Sequence, residues 1–198
     1  MADKDWMREK SGGSKSSLPL ILAGITGIAI IAIAVFAIVQ ASGGQGESFT
    51  PNSQGLLPAG SQAPDFTADT VNGRGEVSLS ETGGANATML VFFASWCPHC
   101  QNEAPVIADL KRDYGEDLRV IMIGIDSVQG DDPAAVRGFV EEYGIDAPAI
   151  YEPSLGATYQ VSGYPTTYVL DGSNEIVAAH AGEAPEEAFR SWIEEALA

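Results

Sequence analysis

Both cysteines of this 198-residue chain, Cys97 and Cys100, stand in the run Trp96-Cys97-Pro98-His99-Cys100, directly after the apolar stretch Met89-Leu90-Val91-Phe92-Phe93-Ala94. An unbroken apolar run of this length reads as a strand buried on both faces. The cysteine pair that follows it reads as the first turn of a helix, so the chain is committed to a strand–turn–helix junction with two thiols at its apex. Two thiols separated by two residues on a first helical turn lie close enough to close a small disulfide ring. The amino-terminal one also faces unpaired backbone N–H groups, whose partial positive charge favours its thiolate. Cys97 is therefore the expected nucleophile and Cys100 the resolving thiol.

The amino-terminal segment limits what remains to fold. Leu18 to Val39 carries no charge and is rich in Ile, Ala, Leu and Val; at about 1.5 Å per residue it spans roughly 33 Å, the thickness of a bilayer core. Lys4, Arg8, Lys10 and Lys15 precede it and the next basic residue is Arg74, which predicts a cytoplasmic amino terminus and an exported remainder. A cleaved signal peptide is the competing reading, because Val39-Gln40-Ala41 offers small residues to a signal peptidase. The apolar run exceeds the roughly 7–15 residues of a signal core, which favours an anchor. The expected organisation is a cytoplasmic segment at 1–17, a transmembrane helix at 18–39, a flexible Gly-, Ser- and Pro-containing tether at 40–60, and one folded domain at 61–198.

Net charge is −17 for the whole chain, and the exported part carries nearly all of the acidic groups. Such a surface repels nucleic acid and anionic headgroups. No nucleic-acid role is expected, and solubility outside the cell is a sufficient reason for the charge.

Strand and helix signals alternate through the domain. Phe66–Ala68 and Val77–Leu79 are short strand candidates joined by a turn at Asn72-Gly73, and Thr88–Ala94 is the central strand. A helix is predicted from Cys97 to about Tyr114, kinked at Pro105. Leu118–Ile125 is a second core strand. Asp132-Pro133 opens a further helix with Val136, Phe139, Val140 and Tyr143 inward, stopped by Gly144. Pro165–Leu170 and Glu175–Ala179 flank the hairpin signal Asp171-Gly172-Ser173-Asn174, and a last helix runs from Pro185 to Leu197 with Phe189, Trp192, Ile193 and Leu197 on its core face. His180 falls outside every motif and reads as a surface residue. The pattern is an α/β domain, a mixed sheet with helices on both faces.

A structural zinc site normally takes four Cys or His ligands, and this chain has only Cys97, Cys100, His99 and His180, without a second pair at ligand spacing. No metal and no other cofactor are expected. A purely structural disulfide is also a poor reading, since so small a ring constrains little unfolded-state entropy.

The Trp96-Cys97-x-x-Cys100 junction, Pro105, and Gly163-Tyr164-Pro165-Thr166 before a strand resemble the thioredoxin fold. Several further segments are similar to the TlpA/ResA branch of membrane-tethered, exported thioredoxin-like proteins. They are Ala63-Pro64-Asp65-Phe66, Val77-Ser78-Leu79-Ser80, Cys100-Gln101-Asn102-Glu103-Ala104-Pro105, the insertion-like stretch from Gly124-Ile125-Asp126 to Tyr143, and Pro165-Thr166-Thr167-Tyr168-Val169-Leu170-Asp171.

The resemblance implies a three-layer thioredoxin-like fold in which Pro165 follows a cis peptide bond beside the cysteines, with Tyr164 and Pro165 meeting substrate. It implies that Trp96 shields the site. It also assigns Glu103 a proton exchange with the cysteines, although an acidic residue is equally at home near a helix amino terminus. The aspartate that thioredoxin buries behind its cysteines is Val91 here. The Pro98-His99 dipeptide resembles the CPHC centre of DsbA-type oxidases, where a histidine adds positive charge or a hydrogen bond near the nucleophilic sulfur and makes the disulfide a stronger oxidant. The scaffold resembles reductases of the cytochrome c maturation type.

The implied activity is thiol–disulfide exchange with cysteine-containing exported proteins, oxidation slightly favoured and reduction the alternative, recycled by a membrane redox partner. Two other classes fit less well. A peroxiredoxin-like peroxidase wants a Thr where Ala94 stands. A Sco-like copper-binding assembly factor wants a C-x-x-x-C pair, one residue longer than this one.

Overall fold

The computed structural model describes residues 54–81 and 85–198. The expected cytoplasmic segment, the transmembrane helix at 18–39 and the tether up to residue 53 lie outside these. Among the described residues no helix is long and apolar enough to cross a membrane.

The chain first forms a small antiparallel hairpin, β1 (Thr67–Asp69) with β2 (Glu76–Ser78). It then runs through β3 (Ala87–Phe93), α1 (Pro98–Tyr114), β4 (Leu118–Gly124), α2 (Pro133–Glu142), β5 (Ala149–Tyr151), α3 (Ser154–Thr158), β6 (Thr166–Asp171), β7 (Ile176–Ala181) and α4 (Glu186–Ala196). The five-stranded sheet has the order β5-β4-β3-β6-β7. β3, β4 and β5 are parallel to one another, while β6 is antiparallel to both β3 and β7. β3 is buried at every position, including Thr88, as the apolar run Met89–Phe93 leads one to expect.

Alternation along β3 divides the core in two. Met89, Val91 and Phe93 meet Ile107 and Leu110 of α1, Val136 and Phe139 of α2, and Phe189 and Ile193 of α4. Leu90 and Phe92 point the other way, into Phe66, Val77, Leu155, Tyr159 and Tyr168. All three longer helices therefore share one face, and the second face is covered by the β1–β2 hairpin, α3 and the segment before β1. Helices therefore lie on both faces, as expected, but unequally, with the short α3 contributing Leu155 to the second core. The connections β3-α1-β4 and β4-α2-β5 step along the sheet in the same direction, and right-handed crossovers then place both helices on the same side.

Three further differences have local causes. Leu56 and Leu57, expected in the tether, are buried in the second core. The Leu57 amide donates to the Tyr168 hydroxyl at 3.1 Å, and that hydroxyl donates to the Tyr159 carbonyl at 2.6 Å. The domain accordingly includes residues 54–60. β5 and α3 were not anticipated, because three and five residues are too few to display a period. α1 runs without interruption through Pro105.

Elsewhere the local chemistry acts as the sequence suggests. Asp132 caps α2, its carboxylate accepting from the Ala134 and Ala135 amides at 2.8 Å, with Pro133 in the first turn. The β6–β7 turn is held by the Asp171 carboxylate, which accepts from Ser173 and Glu175, and Asn174 takes the left-handed conformation at φ 63°.

Candidate active site

The end of β3 and the start of α1 set the cysteines. Cys97 is the residue preceding the helix, its backbone extended and its carbonyl accepting from the Gln101 amide. The Cys97 side chain makes no capping hydrogen bond, so this end of α1 is uncapped. Cys100, one turn on, hydrogen-bonds with Cys97, and burial pushes its thiol well above the ordinary range, with the charge of Glu103 acting in the same direction. Both residues are nearly buried, at 5% and 3% exposure, and both are thiols in this structure. The Cys97 thiol donates to the Tyr164 carbonyl at 3.7 Å. The Tyr164–Pro165 bond is cis, and Pro165 is buried at the start of β6.

Glu103 lies one turn beyond Cys100 on the inner face of α1 and is only 2% exposed. Its Oε2 accepts from the Ala184 amide at 3.1 Å, and its Oε1 is buried with no partner. Burial pushes the carboxyl up to about 7; the Ala184 N–H opposes this and the nearby Glu183 charge adds to it. This buried carboxyl lies one turn behind Cys100, on the same helix as the dithiol. The place where thioredoxin keeps an aspartate is filled by Val91, an apolar side chain of the same core as the two cysteines.

The rim is built from residues far apart in sequence. The Trp96 indole N–H donates to Asp126 at 2.8 Å, and its ring stands edge-on to Tyr164 at 6.1 Å between centroids. Asp126 follows β4 and also accepts from the Val128 and Gln129 amides. Burial pushes its carboxyl up, but these three donors outweigh burial and hold it below its ordinary value. Asp131 accepts from the amide and hydroxyl of Ser95. Two buried carboxylates from the loop after β4 therefore fix the two residues that precede Cys97. Trp96 and Val128 are the exposed large apolar side chains among the described residues.

His99 sits on the opposite rim. Its Nδ1 is 2.8 Å from the Glu183 carboxylate, in the loop between β7 and α4, and the Asn102 amide approaches the same oxygen at 3.5 Å.

A sequence model described as the AhpC/TSA family matches residues 59–179. The chain belongs to the AhpC/TSA family. Within it, the thioredoxin-like protein YneN of Bacillus subtilis is 34% identical over 127 residues, covering 64% of this chain and 73% of YneN. The thiol-disulfide oxidoreductase ResA of Bacillus subtilis is 25% identical over 140 residues, 69% of this chain and 75% of ResA. Among solved structures, the thiol:disulfide interchange protein DsbE of Chlorobium tepidum superposes with a TM-score of 0.63 at 25% identity, over 71% of this chain and 99% of that one. This AhpC/TSA member is thioredoxin-like and is an enzyme of the thiol–disulfide oxidoreductase class.

The structure brings Trp96, Pro98, His99, Cys97, Cys100, Glu103, Tyr164 and Pro165 to one end of the sheet. Sequence reasoning missed Glu183, Asp126 and Asp131 as parts of this site. Asp126 had a weak signal, the acid directly after a core strand; Glu183 had none, because its contact depends on the turn after β7. Two other readings change. His180 is half-buried and its ring lies 5.5 Å from that of Trp192. Trp192 is half-buried too, lying between His180 and Phe189 at the edge of the core. Among the described residues no group of three or more His, Cys, Asp or Glu side chains is placed to hold a metal ion.

Proposed function

We propose that this enzyme works as a disulfide reductase on exported proteins, through the Cys97–Cys100 dithiol. The carrying observation is the placement of the dithiol at the bare amino terminus of α1, with the buried carboxyl of Glu103 one turn behind Cys100. In this reading the Cys97 thiolate attacks one sulfur of a substrate disulfide, forming a mixed disulfide and releasing the first substrate thiolate. Cys100 then gives its proton to Glu103 and attacks the Cys97 sulfur. The second substrate thiolate leaves, the Cys97–Cys100 disulfide forms, and two electrons have passed to the substrate. A carboxyl near 7 suits this exchange, because it takes and returns a proton at neutral pH.

The reducing direction is favoured over oxidation by the pairing of His99 with Glu183 and by the relatives of ResA type. Proteins presenting a cysteine pair in an extended segment, such as an apocytochrome c, fit the exposed rim of Trp96 and Tyr164. A membrane redox partner returns the dithiol to its reduced form. The uncharged segment 18–39 supports a single membrane anchor, with the amino terminus cytoplasmic and the catalytic domain outside.

Equilibration in glutathione or dithiothreitol buffers, read by alkylation of the free thiols, tests the direction. A potential near about −270 mV supports reduction, whereas one near about −120 mV makes the protein an oxidase. Loss of exchange in Cys97→Ser supports the chemistry, and full activity in that variant overturns it.

A further inference from the structure

We infer that Glu183 is a positioning residue that holds the redox potential of the Cys97–Cys100 pair low by neutralising His99. This inference rests on the dithiol function proposed above.

The observations are geometric. His99 is in the first turn of α1, two residues after Cys97, and no acidic residue of the helix itself stands in that turn. The carboxylate is supplied instead from the β7–α4 loop, with Glu183 Oε2 at 2.8 Å from His99 Nδ1 and 3.5 Å from Asn102 Nδ2. The next residue, Ala184, gives its amide to Glu103, so two adjacent residues of this loop touch both the first and the second turn of α1. The His99 hydrogen bond holds the Glu183 carboxyl below its ordinary value, which keeps it ionised at neutral pH.

Charge counting gives the consequence. With Glu183 ionised, the His99–Glu183 unit carries zero charge when the imidazole is protonated and minus one when it is not. It never carries plus one. Without the carboxylate the unit carries plus one or zero. Two residues along a helical turn lie within the roughly 8 Å over which charges act at physiological salt, so this difference is felt at the Cys97 sulfur. A positive neighbour stabilises the thiolate, hence the reduced form, and raises the potential. Glu183 removes that neighbour. A Pro-His dipeptide that would otherwise favour oxidation is thereby compatible with a reductase.

The test is made on the full chain with oxidised and reduced glutathione as the redox couple. Oxidation of the pair converts one glutathione disulfide to two glutathiones as the Cys97–Cys100 bond forms. Glu183→Gln should lower the equilibrium constant for this oxidation about threefold to tenfold, which raises the potential by about 15–30 mV at 30 mV per tenfold. The Cys97 thiolate absorbance near 240 nm should titrate at lower pH in the same variant. Glu187→Gln, the same charge change on α4 away from His99, should shift the constant by less than about 1.5-fold. In a His99→Ala background the Glu183→Gln shift should fall below about twofold, because the unanchored carboxylate is solvated and screened. An unchanged constant in Glu183→Gln, or an equal shift with and without His99, overturns the inference. The Glu183 inference is read from the equilibrium constant, whereas loss of exchange in Cys97→Ser is the separate test of the dithiol function.

Discussion

Replacing Glu103 by Gln converts the buried carboxyl into a neutral side chain of the same shape and should change how stability depends on pH. The Glu103 carboxyl is held at about 7 in the folded protein against 4.5 in the unfolded chain, chiefly by burial. The folded state therefore binds more protons, and stability falls as pH rises between those two values. At 1.36 kcal/mol for each unit of difference, the loss is about 3 kcal/mol and is complete above about pH 7. Below about pH 4.5 the group is neutral in both states and costs nothing. Glu103→Gln keeps an oxygen for the Ala184 amide and removes the titration, so its advantage over the natural protein should grow by about 3 kcal/mol from pH 4 to pH 8. Urea unfolding of both proteins in the dithiol form across that range measures this directly, and pH-independent contributions cancel in the comparison. Stability curves that stay parallel from pH 4 to pH 8 would refute a carboxyl held high by burial, and with it the role of Glu103 as a proton acceptor at neutral pH.

Asp126→Ala leaves the Trp96 indole and two loop amides without their acceptor and should cost about 2–3 kcal/mol, with the tryptophan emission moving to the red. Gly124→Ala places a methyl group against the Val136 side chain; the expected loss is about 1–3 kcal/mol in thermal unfolding, recovered in part by adding Val136→Ala. Tyr168→Phe removes the hydroxyl that joins Leu57 to Tyr159, and a loss of about 1–3 kcal/mol with faster amide exchange at Leu57 is expected. Proteolysis that begins no earlier at residues 54–60 in this variant than in the natural protein would speak against the hydroxyl as their tie to the domain.

How much of this was legible in the sequence depended on whether the information was local. β3 announced itself because Met89 to Phe93 is an unbroken apolar run, and the dithiol because two cysteines at one helical turn have few other uses. The α2 cap at Asp132-Pro133 and the β6–β7 turn at Asp171–Asn174 are formed by neighbours in sequence, and both were readable. Leu56 and Leu57 were hidden among Gly, Ser and Pro, and only the partners Tyr168 and Tyr159, about a hundred residues on, show them to be core. β5 and α3 are shorter than the periods that would identify them. In the site, Glu103 was visible from its spacing to Cys100. The Trp96–Asp126 and His99–Glu183 contacts join residues 30 and 84 positions apart, and no pattern along the chain marks such pairs. The second of these bears most on the proposed direction, since His99 read alone argues for an oxidase and the Glu183 carboxylate beside it is the ground for proposing a reductase.

Trapping the mixed disulfide tests the dithiol chemistry most directly. Cys100→Ser and Cys97→Ser are each reacted with oxidised glutathione at pH 7, and the adducts are timed by intact mass. Cys97 precedes the uncapped first turn of α1, while burial holds the Cys100 thiol protonated. The expected result is a glutathione adduct on Cys97 in Cys100→Ser and little or none on Cys100 in Cys97→Ser over the same time. Equal or faster reaction of Cys100 in Cys97→Ser would contradict the assignment of Cys97 as the nucleophile.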